Sequence, residues 1–422
     1  MFTTFSSALS ALNADSTAID VVGNNLANLN TPGFKTSAVC FRDLVTESLG
    51  AGLGETQVGF GTGQPLTVRE FTQGAIQTSS GLLDAAIQGD GFFVVNDKAG
   101  NTYYTRAGNF QTDKSGNLLT DTGFKVQGWT TVNATTGQVD TNGPIGNIVV
   151  PVGSLKPPVA TSNITADLNL NSAAAADATS DFTTPITVYD SLGASHVLTL
   201  DFQKTGANAW TYQVEIPGDD ITGGTAGTPF PISGASGTLT FGTDGKLVDP
   251  ANGTPIQISI PGLTDGASDL TISWNPYTSS GVGRITQFGQ PSAPSAQSQD
   301  GSAAAQLDHV GLATGGTIIA EYTDGTQVVV GQVALAQIRN PDSLIAAGDN
   351  NFQLSALTAN PSIGTPGTGG RGIIQGGAVE ASTVDIASEF TNLIVYQRAY
   401  EANAHVVTTA DQLSQDTINL IH

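Results

Sequence analysis

The chain has 422 residues and a formal net charge of −22, from 14 basic and 36 acidic residues. Nucleic acids and anionic membranes both select lysine and arginine, so this charge balance argues against partners of either class. Charged residues make up only 12% of the chain, about half the usual share. The surface must therefore consist largely of serine, threonine, asparagine, glutamine and glycine, and the length predicts roughly two to four domains.

The single cysteine, Cys40, excludes an intrachain disulfide and a cysteine-based metal cage. The first residues carry no basic segment followed by a continuous apolar run, so the sequence predicts no cleaved secretory signal. A stretch of about 18 apolar residues does not occur, and we expect no membrane insertion. These features predict a protein that is either cytoplasmic or exported without a conventional signal.

An apolar stripe at helical spacing opens the chain. Its successive positions are three or four residues apart, which is the spacing of a coiled-coil seam. The members are Phe2, Phe5, Leu9, Leu12, Ile19 and Leu26, with Ser16 and Gly23 at the intervening positions. Pro32 disfavours helical geometry at the residue before it, and Gly33 permits a turn. The pattern therefore predicts a coiled-coil helix over residues 1–29.

A second apolar stripe closes the chain. The members that we assign to an assembly interface are Ile386, Phe390, Leu393, Tyr400, Val407 and Ile418. They predict a coiled-coil helix within residues 376–422. Such a stripe usually packs a helix onto its own domain, and that alternative stays open. Because both stripes lie at the chain ends, beyond segments rich in glycine and proline, we favour packing between molecules.

Short β-like runs fill the region between the two helices. Residues 195–202 and 210–216 alternate apolar and polar side chains, as strands with one buried face do. The composition shifts near Pro151, which marks a domain boundary. The predicted segments are an extended connector at 30–72, the first part of an inner β domain at 73–150, an inserted outer β domain at 151–297 and the second part of the inner domain at 298–375. We therefore predict a multidomain, mainly β protein with one antiparallel β domain inserted in another, and with N- and C-terminal α-helices that pair as a coiled coil.

The sequence shows no residue group with the spacing of a catalytic or ligand site. The four histidines, His196, His309, His405 and His422, are not at metal-ligand spacing from one another. We therefore assign no catalytic, cofactor-binding or metal-binding residue, and we expect a protein without enzymatic activity.

The three tryptophans, Trp129, Trp210 and Trp274, suggest a different function. If they were clustered and exposed, they would line the groove of a secreted carbohydrate-binding or adhesive β protein. Tryptophan within strand patterns more often packs in a β core, and we favour that interpretation. The alternative predicts a soluble monomer, and it does not require the two terminal stripes.

Longer motifs accompany the two stripes. Residues 19–35 read IDVVGNNLANLNTPGFK, and residues 377–385 and 396–403 read GAVEASTVD and YQRAYEAN. These segments resemble the paired terminal signatures of bacterial flagellar rod, hook and hook-associated proteins. The residues that we take as the family motif are Asn24, Asn25, Ala27, Asn28, Thr31, Pro32, Gly33, Phe34, Lys35, Gln397, Arg398, Ala399 and Tyr400.

Within this family the greatest likeness is to hook subunits. Residues 71–77 and 86–93 are similar to rod and hook proteins alike. Residues 189–193, 298–301 and 331–336 are similar to hook subunits alone. A distal rod subunit is the alternative within the family, although rod proteins usually lack an insert of this size.

The resemblance implies a tubular polymer outside the cell, with terminal helices paired around a central channel and β domains in the outer layers. Hook subunits form a flexible joint that carries motor torque to the filament. The implied partners are copies of the chain itself, the distal rod protein, the hook cap, the hook–filament junction proteins and the type III flagellar export apparatus. The implied location is the extracellular flagellum (hook and basal body), reached without a cleaved signal peptide, and no cofactor is implied.

Overall fold

The computed structural model describes residues 2–44, 46–49, 56–133, 136–177 and 182–419. Within these ranges the chain forms two long α-helices and many short strands, most of them in antiparallel sheets. The mainly β fold class with a helix near each end is therefore confirmed. Of the helices in these ranges, none combines the length and the apolar character that crossing a bilayer would take.

The helices are α1 (Phe2–Ala27) and α2 (Ile386–Asn419), and short 3₁₀ turns lie at Gly218–Asp220 and Pro341–Ser343. The first strands are β1 (Ser37–Cys40), β2 (Thr46–Leu49), β3 (Thr56–Gly59), β4 (Leu66–Arg69), β5 (Ile76–Thr78), β6 (Ala85–Gln88), β7 (Phe92–Asn96), β8 (Thr102–Thr105), β9 (Phe110–Thr112), β10 (Leu118–Thr120), β11 (Lys125–Trp129) and β12 (Gly146–Asn147). They are followed by β13 (Leu155–Lys156), β14 (Asn163–Asn171), β15 (Phe182–Tyr189), β16 (Ser195–Gly206), β17 (Ala209–Pro217), β18 (Pro229–Phe241), β19 (Leu247–Asp249), β20 (Ile256–Ile260), β21 (Leu270–Trp274), β22 (Ile285–Phe288) and β23 (Ala293–Gln299). The last strands are β24 (Ala305–Leu312), β25 (Thr317–Tyr322), β26 (Gln327–Val333), β27 (Leu335–Gln337), β28 (Ile345–Gly348), β29 (Asn351–Gln353), β30 (Ser362–Gly364), β31 (Ile373–Gly376) and β32 (Ala378–Glu380).

The chain divides into two compact units. The first unit comprises Met1–Val152, Asp308–Glu321 and Gln327–His422, and the second comprises Gly153–Leu307 and Tyr322–Thr326. The second unit interrupts the sequence of the first, as an inserted domain does.

The second unit ends later in the sequence than the predicted insert of 151–297. Leu155 of β13 pairs antiparallel with Gln306 of β24. This pairing joins the entry and exit segments of the unit, so the residues up to Leu307 belong to it.

The turn after α1 requires glycine. Gly33 has a φ of 69°, which lies in the left-handed region that a β-carbon disfavours. A β-carbon at this position would also lie 2.5 Å from the carbonyl carbon of Arg106. Both the backbone angle and the close approach of a second chain segment therefore depend on this glycine.

The predicted extended connector at 30–72 folds back on itself instead. β1 pairs antiparallel with β4, and β2 pairs antiparallel with β3. Ladder hydrogen bonds satisfy backbone groups that a single extended segment would leave to water. Residues 50–55 of this segment lie outside the described residues.

Strand β7 lies at the centre of the first unit. Its residues Phe92, Phe93, Val94 and Val95 are all buried. Phe93 and Val95 enter one apolar cluster, whereas Phe92 and Val94 enter another. Both faces of this strand are therefore covered, which explains its continuous apolar run.

The second unit is a β-sandwich. One sheet has the strand order β15-β16-β17-β18-β19 and is antiparallel throughout. The other has the order β20-β21-β14-β22, with β23 also paired to β14. Alternate residues from both sheets meet in one apolar cluster. The pairings of β14 with β21 and β22 are parallel, which departs from the predicted antiparallel arrangement.

All three tryptophans are buried. Trp210 and Trp274 lie in the core of the second unit, and Trp129 is buried in the first. The ring of Tyr212 meets that of Trp274 edge-on, with 5.5 Å between the ring centres. The alternative prediction of a carbohydrate-binding groove lined by these tryptophans is therefore wrong.

Candidate assembly interface

The predicted stripe of α1 remains accessible in the single chain. Phe5 and Leu9 are 44% and 47% exposed. The half-buried members are Leu12, Ile19 and Leu26. The side chain of Phe2 lies outside the described residues. The stripe thus offers apolar surface that the first unit does not cover.

α1 packs on its own chain through a different set of residues. Ala14, Ala18 and Val22 are buried, together with the polar residues Asp15 and Asn25. The side chains of Asp15 and Asn25 both form hydrogen bonds with α2. Small residues on this face let the helix approach its neighbours closely. The pairing of α1 and α2 within one chain therefore leaves much of the predicted stripe open.

α2 also exposes its predicted stripe. The exposed members are Ile386, Phe390 and Tyr400, and the half-buried members are Leu393 and Val407. The side chain of Ile418 lies outside the described residues.

Further exposed apolar residues on α2 were absent from the prediction. They are Ile394, Val395, Val406 and Leu413. These residues lie off the predicted seam, so its periodicity did not identify them. Single exposed apolar residues are ordinary, but a series along one helix marks an interaction site. α2 therefore offers a wider contact surface than one coiled-coil seam.

A buried ionic junction, formed by Lys35, Arg106 and Glu380, joins the segments that follow α1 and precede α2. Lys35 Nζ lies 2.6 Å from Glu380 Oε1, and Arg106 Nη1 lies 3.3 Å from Glu380 Oε2. Glu380 Oε1 also accepts the backbone N–H of Gly74 at 2.7 Å. The Glu380 carbonyl accepts the N–H of Gly33 at 2.7 Å. Glu380 thus binds three segments that precede it in the sequence.

The junction depends on its single carboxylate. Burial lowers the pKa of Lys35 and of Arg106, whereas the charge of Glu380 acts in the opposite direction on both. The Arg106 guanidinium also lies 5.3 Å from the centre of the Phe92 ring. Loss of the carboxylate would leave two buried cations without their paired acid, and only the charge of Asp90 would still act on Arg106. Such a loss is far more costly than loss of an exposed ion pair.

Asn25 fastens α1 to α2 and to β1. Its Nδ2 donates to Glu389 Oε1 at 3.0 Å and to the Ser37 carbonyl at 2.9 Å. Its Oδ1 accepts the N–H of Ser37 at 3.1 Å. Burial raises the pKa of the Glu389 carboxyl, and the hydrogen bond from Asn25 opposes that shift. This family-motif residue therefore has a structural role inside the first unit.

The other family-motif residues fall into two groups. Gly33, Phe34 and Lys35 are buried, and Asn24, Asn28, Thr31 and Pro32 line a cavity beside the end of α1. Ala27, Gln397, Arg398 and Tyr400 are exposed, and Ala399 is half-buried. The N-terminal motif thus mostly builds the interior, whereas the C-terminal motif mostly faces outward.

A cluster of ionisable groups lies in the second unit around His196. Its Nδ1 is 3.0 Å from Asp220 Oδ2, and its Nε2 is 3.2 Å from Asp190 Oδ2. Asp265 Oδ2 lies 3.8 Å from the same Nε2. Because both ring nitrogens face carboxylates, the geometry favours an imidazolium that donates twice. Burial opposes this charge, but the hydrogen bonds with Asp220 and Asp190 outweigh it and raise the pKa of His196.

Three of these side chains carry potential metal ligands. One atom each from Asp190, His196 and Asp265 lie within 4.8 Å of one another. The hydrogen bonds of His196 with Asp190 and Asp220 account for the arrangement of these groups in the single chain. Sequence spacing did not reveal this group because Asp265 is distant from the other two along the chain.

Models of four protein families match successive parts of the chain. They are the flagella basal body rod protein over residues 5–35, the flagellar hook protein FlgE/F/G D1 domain over 86–165, the flagellar basal body protein FlaE D2 domain over 160–302 and the flagellar basal body rod FlgEFG protein C-terminal over 375–420. The matches include parts of both helices and of both units.

Individual relatives extend the similarity to almost the whole length. The flagellar hook protein FlgE of Borreliella burgdorferi is 33% identical, with 98% of each chain covered. The protein of the same name from Escherichia coli is 31% identical, with 99% of each chain covered. The crystal structure of the Helicobacter pylori flagellar hook protein FlgE2 shares the fold, with a TM-score of 0.51 and 14% identity over 71% of this chain and 99% of that one. Since the sequence identity spans both units and both helices, the chain belongs to the flagellar hook protein family.

Proposed function

We propose that the chain is a structural subunit of the bacterial flagellar hook, and that its copies assemble into a flexible tubular joint that transmits motor torque to the filament. The main support is the apolar surface of α1 and α2, which stays exposed after these helices have packed against each other. Burial of such a surface against other molecules is favourable. Membership of the hook protein family identifies copies of the same chain as those molecules.

The proposed interface contains the predicted members of both stripes and four additional residues on α2. These are Phe2, Phe5, Leu9, Leu12, Ile19, Leu26, Ile386, Phe390, Leu393, Tyr400, Val407 and Ile418, with Ile394, Val395, Val406 and Leu413 added. Full burial of one large apolar side chain contributes about 1.5–3 kcal/mol. Even a few of these residues therefore supply a substantial driving force for each subunit that joins.

The composition suits a joint that bends. With only 14 basic residues, neighbouring subunits have little capacity for rigid networks of ion pairs. Short polar side chains exchange hydrogen-bond partners when surfaces slide past each other. Helix packing would hold the tube together, while weak polar contacts elsewhere would permit its curvature to change.

Family membership also suggests further partners and a location. The neighbours would be the distal rod protein, the hook cap and the hook–filament junction proteins, and the flagellar export apparatus would deliver the chain without a cleaved signal. The assembled protein would be extracellular. This structural role requires no cofactor and no catalytic residue.

A distal rod subunit has less support. The two family models with rod in their description match only the terminal segments, 5–35 and 375–420. The relatives that match over nearly the full length are hook proteins.

The first prediction tests the helix surface in the purified full-length chain. The double variant Phe390→Ser with Ile394→Ser should raise the concentration needed for polymerisation at least about tenfold, because two large apolar contacts are lost. Sedimentation of the polymer measures this threshold. Leu357→Ser is the matched control, because Leu357 is 83% exposed but lies outside the helices.

Electron microscopy of a strain that lacks this protein tests the position in the flagellum. The strain should retain the rod and lack the hook, and the wild-type chain and the Leu357→Ser control should restore the hook. Loss of the distal rod itself would instead indicate a rod subunit. A double variant that polymerises like the wild type would contradict the helix-based interface.

A further inference from the structure

A cavity of about 420 Å³ opens beside the end of α1 in the first unit. Its lining includes Phe34, Arg69, Thr122 and Asn351. Asn351 is only 2% exposed, yet its Nδ2 has no hydrogen-bond partner. Nε of Arg69 is also buried and unpartnered. Both atoms are donors, so the cavity lacks an acceptor that would satisfy them.

Arg69 is held in a geometry that suits a carboxylate. The centre of its guanidinium lies 6.0 Å from the centre of the Phe34 ring and 5.1 Å from that of Phe352. These contacts restrict the planar group, whose N–H fork matches the two oxygens of a carboxylate. Among the residues that the structure describes, no acidic side chain forms an ion pair with it. Burial lowers the pKa of Arg69, so its charge bears a desolvation cost that no acidic side chain among the described residues offsets by an ion pair.

The other polar groups that line the cavity do not supply the missing hydrogen-bond acceptor. Asn350 Nδ2 already donates to the Pro32 carbonyl at 2.9 Å. Asp121 and Asp349 also line the cavity, but both are exposed and neither pairs with Arg69. Their negative charges disfavour entry of a free small anion. A carboxylate attached to a docking protein surface overcomes that repulsion more easily, because its effective concentration is high.

We propose that this cavity receives an aspartate or glutamate side chain from a second copy of the chain, and that Arg69 and Asn351 bind its carboxylate. The inference rests on the proposed function, since the second copy is a neighbouring subunit of the polymer. Asn24 at the end of α1 and Asn28 in the turn after it also line the cavity, which is therefore continuous with the helix proposed for assembly. With 36 acidic and 14 basic residues, carboxylates are the charged groups that a neighbouring copy offers most often.

The charge of Arg69 is tested by Arg69→Gln in the full-length chain. The concentration needed for polymerisation should rise at least about tenfold. The melting temperature of the monomer should stay within about 2 °C of the wild type, because Arg69 has no ion pair in the single chain. Arg69→Lys should give an intermediate defect, since it keeps the charge but loses the fork. Arg339→Gln removes the same charge from an exposed position of the first unit and should assemble normally.

A second variant blocks the cavity and leaves Arg69 in place. Ala346 is exposed and lines the cavity, so Ala346→Trp should fill the space and weaken polymerisation in the same way. The photo-crosslinker p-benzoylphenylalanine in place of Thr122, another exposed lining residue, should link to a neighbouring copy in the polymer. Mass spectrometry should identify a linked peptide that contains aspartate or glutamate.

The outcomes separate this inference from the proposed function. Failure of the wild-type chain to polymerise would contradict the proposed function and this inference with it. Normal polymerisation of Arg69→Gln and Ala346→Trp, beside a wild type that assembles, would overturn the inference alone. Acetate serves as the small-anion probe. If acetate protects the Arg69 side chain of the monomer from chemical modification, and no acidic peptide is crosslinked in the polymer, the cavity is a small-anion site. That result would also overturn the inference.

Discussion

Each unit contains an ionic cluster, buried in the first unit and partly buried in the second, and the two clusters have opposite charge balances. In the junction of the first unit, Lys35 and Arg106 surround the single carboxylate of Glu380. In the second unit, three carboxylates surround the single imidazole of His196. Arginine keeps its charge throughout the physiological pH range, whereas histidine changes its charge within that range. Arg106 thus keeps its charge in the junction across that range, while the cohesion of the second cluster depends on protonation.

The comparison also shows why each cluster has one decisive residue. In each cluster, one group has the opposite charge to all the others and neutralises them. Its removal leaves like charges close together in a poorly solvated site. Glu380 has that position in the first unit, and His196 has it in the second. Removal of one of the other groups leaves a smaller cluster in which both signs of charge are still present.

The largest effect is expected for Glu380→Gln. The neutral amide leaves Lys35 and Arg106 buried without their paired carboxylate, and the variant should lose about 3–5 kcal/mol of unfolding free energy. Urea unfolding of the full-length chain, followed by far-UV circular dichroism, measures this loss. Glu401→Gln is the control, because Glu401 forms only an exposed ion pair with Arg398. Equal stability of the two variants would show that the junction does not hold the first unit.

A smaller effect is expected for His196→Asn. The variant removes the positive charge among the three carboxylates and should cost the second unit about 1–3 kcal/mol. Tryptophan fluorescence reports mainly on this unit, because Trp210 and Trp274 lie in its core. His309→Asn is a matched control, since His309 contacts Asp308 at the surface of the first unit. An unchanged transition in His196→Asn would mean that the cluster does not contribute to stability.

The smallest expected effect is a dependence of the stability of the second unit on pH. The folded-state pKa of His196 is raised above its ordinary value of about 6.5. Its stabilising contribution is therefore complete below that value and is lost as the pH rises through the raised folded-state pKa. The fluorescence melting temperature of the wild type should fall across this window, and His196→Asn should show a shallower slope. A slope that is the same in both proteins would assign the pH dependence to other groups.

Much of the fold was predictable because its signals are local. The alternation at 195–202 and 210–216 corresponds to β16 and β17, and the terminal periodicity corresponds to α1 and α2. The folded connector was missed because short strands such as β1 and β4 are stabilised by each other and not by their own patterns. The two parallel pairings of β14 likewise depend on which strands become neighbours, which local sequence does not determine.

The surface proposed for assembly was only partly predictable for the same reason. Seam spacing identified Phe5, Leu9 and Phe390, but Ile394 and Leu413 lie off that seam and required the structure. Glu380 was noticed only within a motif, because its contacts with Lys35 and Arg106 join distant parts of the chain. In the sequence, Glu380 is only a single acid beside a glycine-rich segment, and this position does not indicate its partners.

The junction has a consequence for the order of events during synthesis. Lys35 and Glu380 are 345 positions apart in the sequence, so the carboxylate is made long after the lysine. Until residue 380 has been released from the ribosome, the junction cannot form. Closing it then means closing a very long loop, whose entropy cost grows only slowly with length. A chain that does not yet contain Glu380 therefore cannot form the junction.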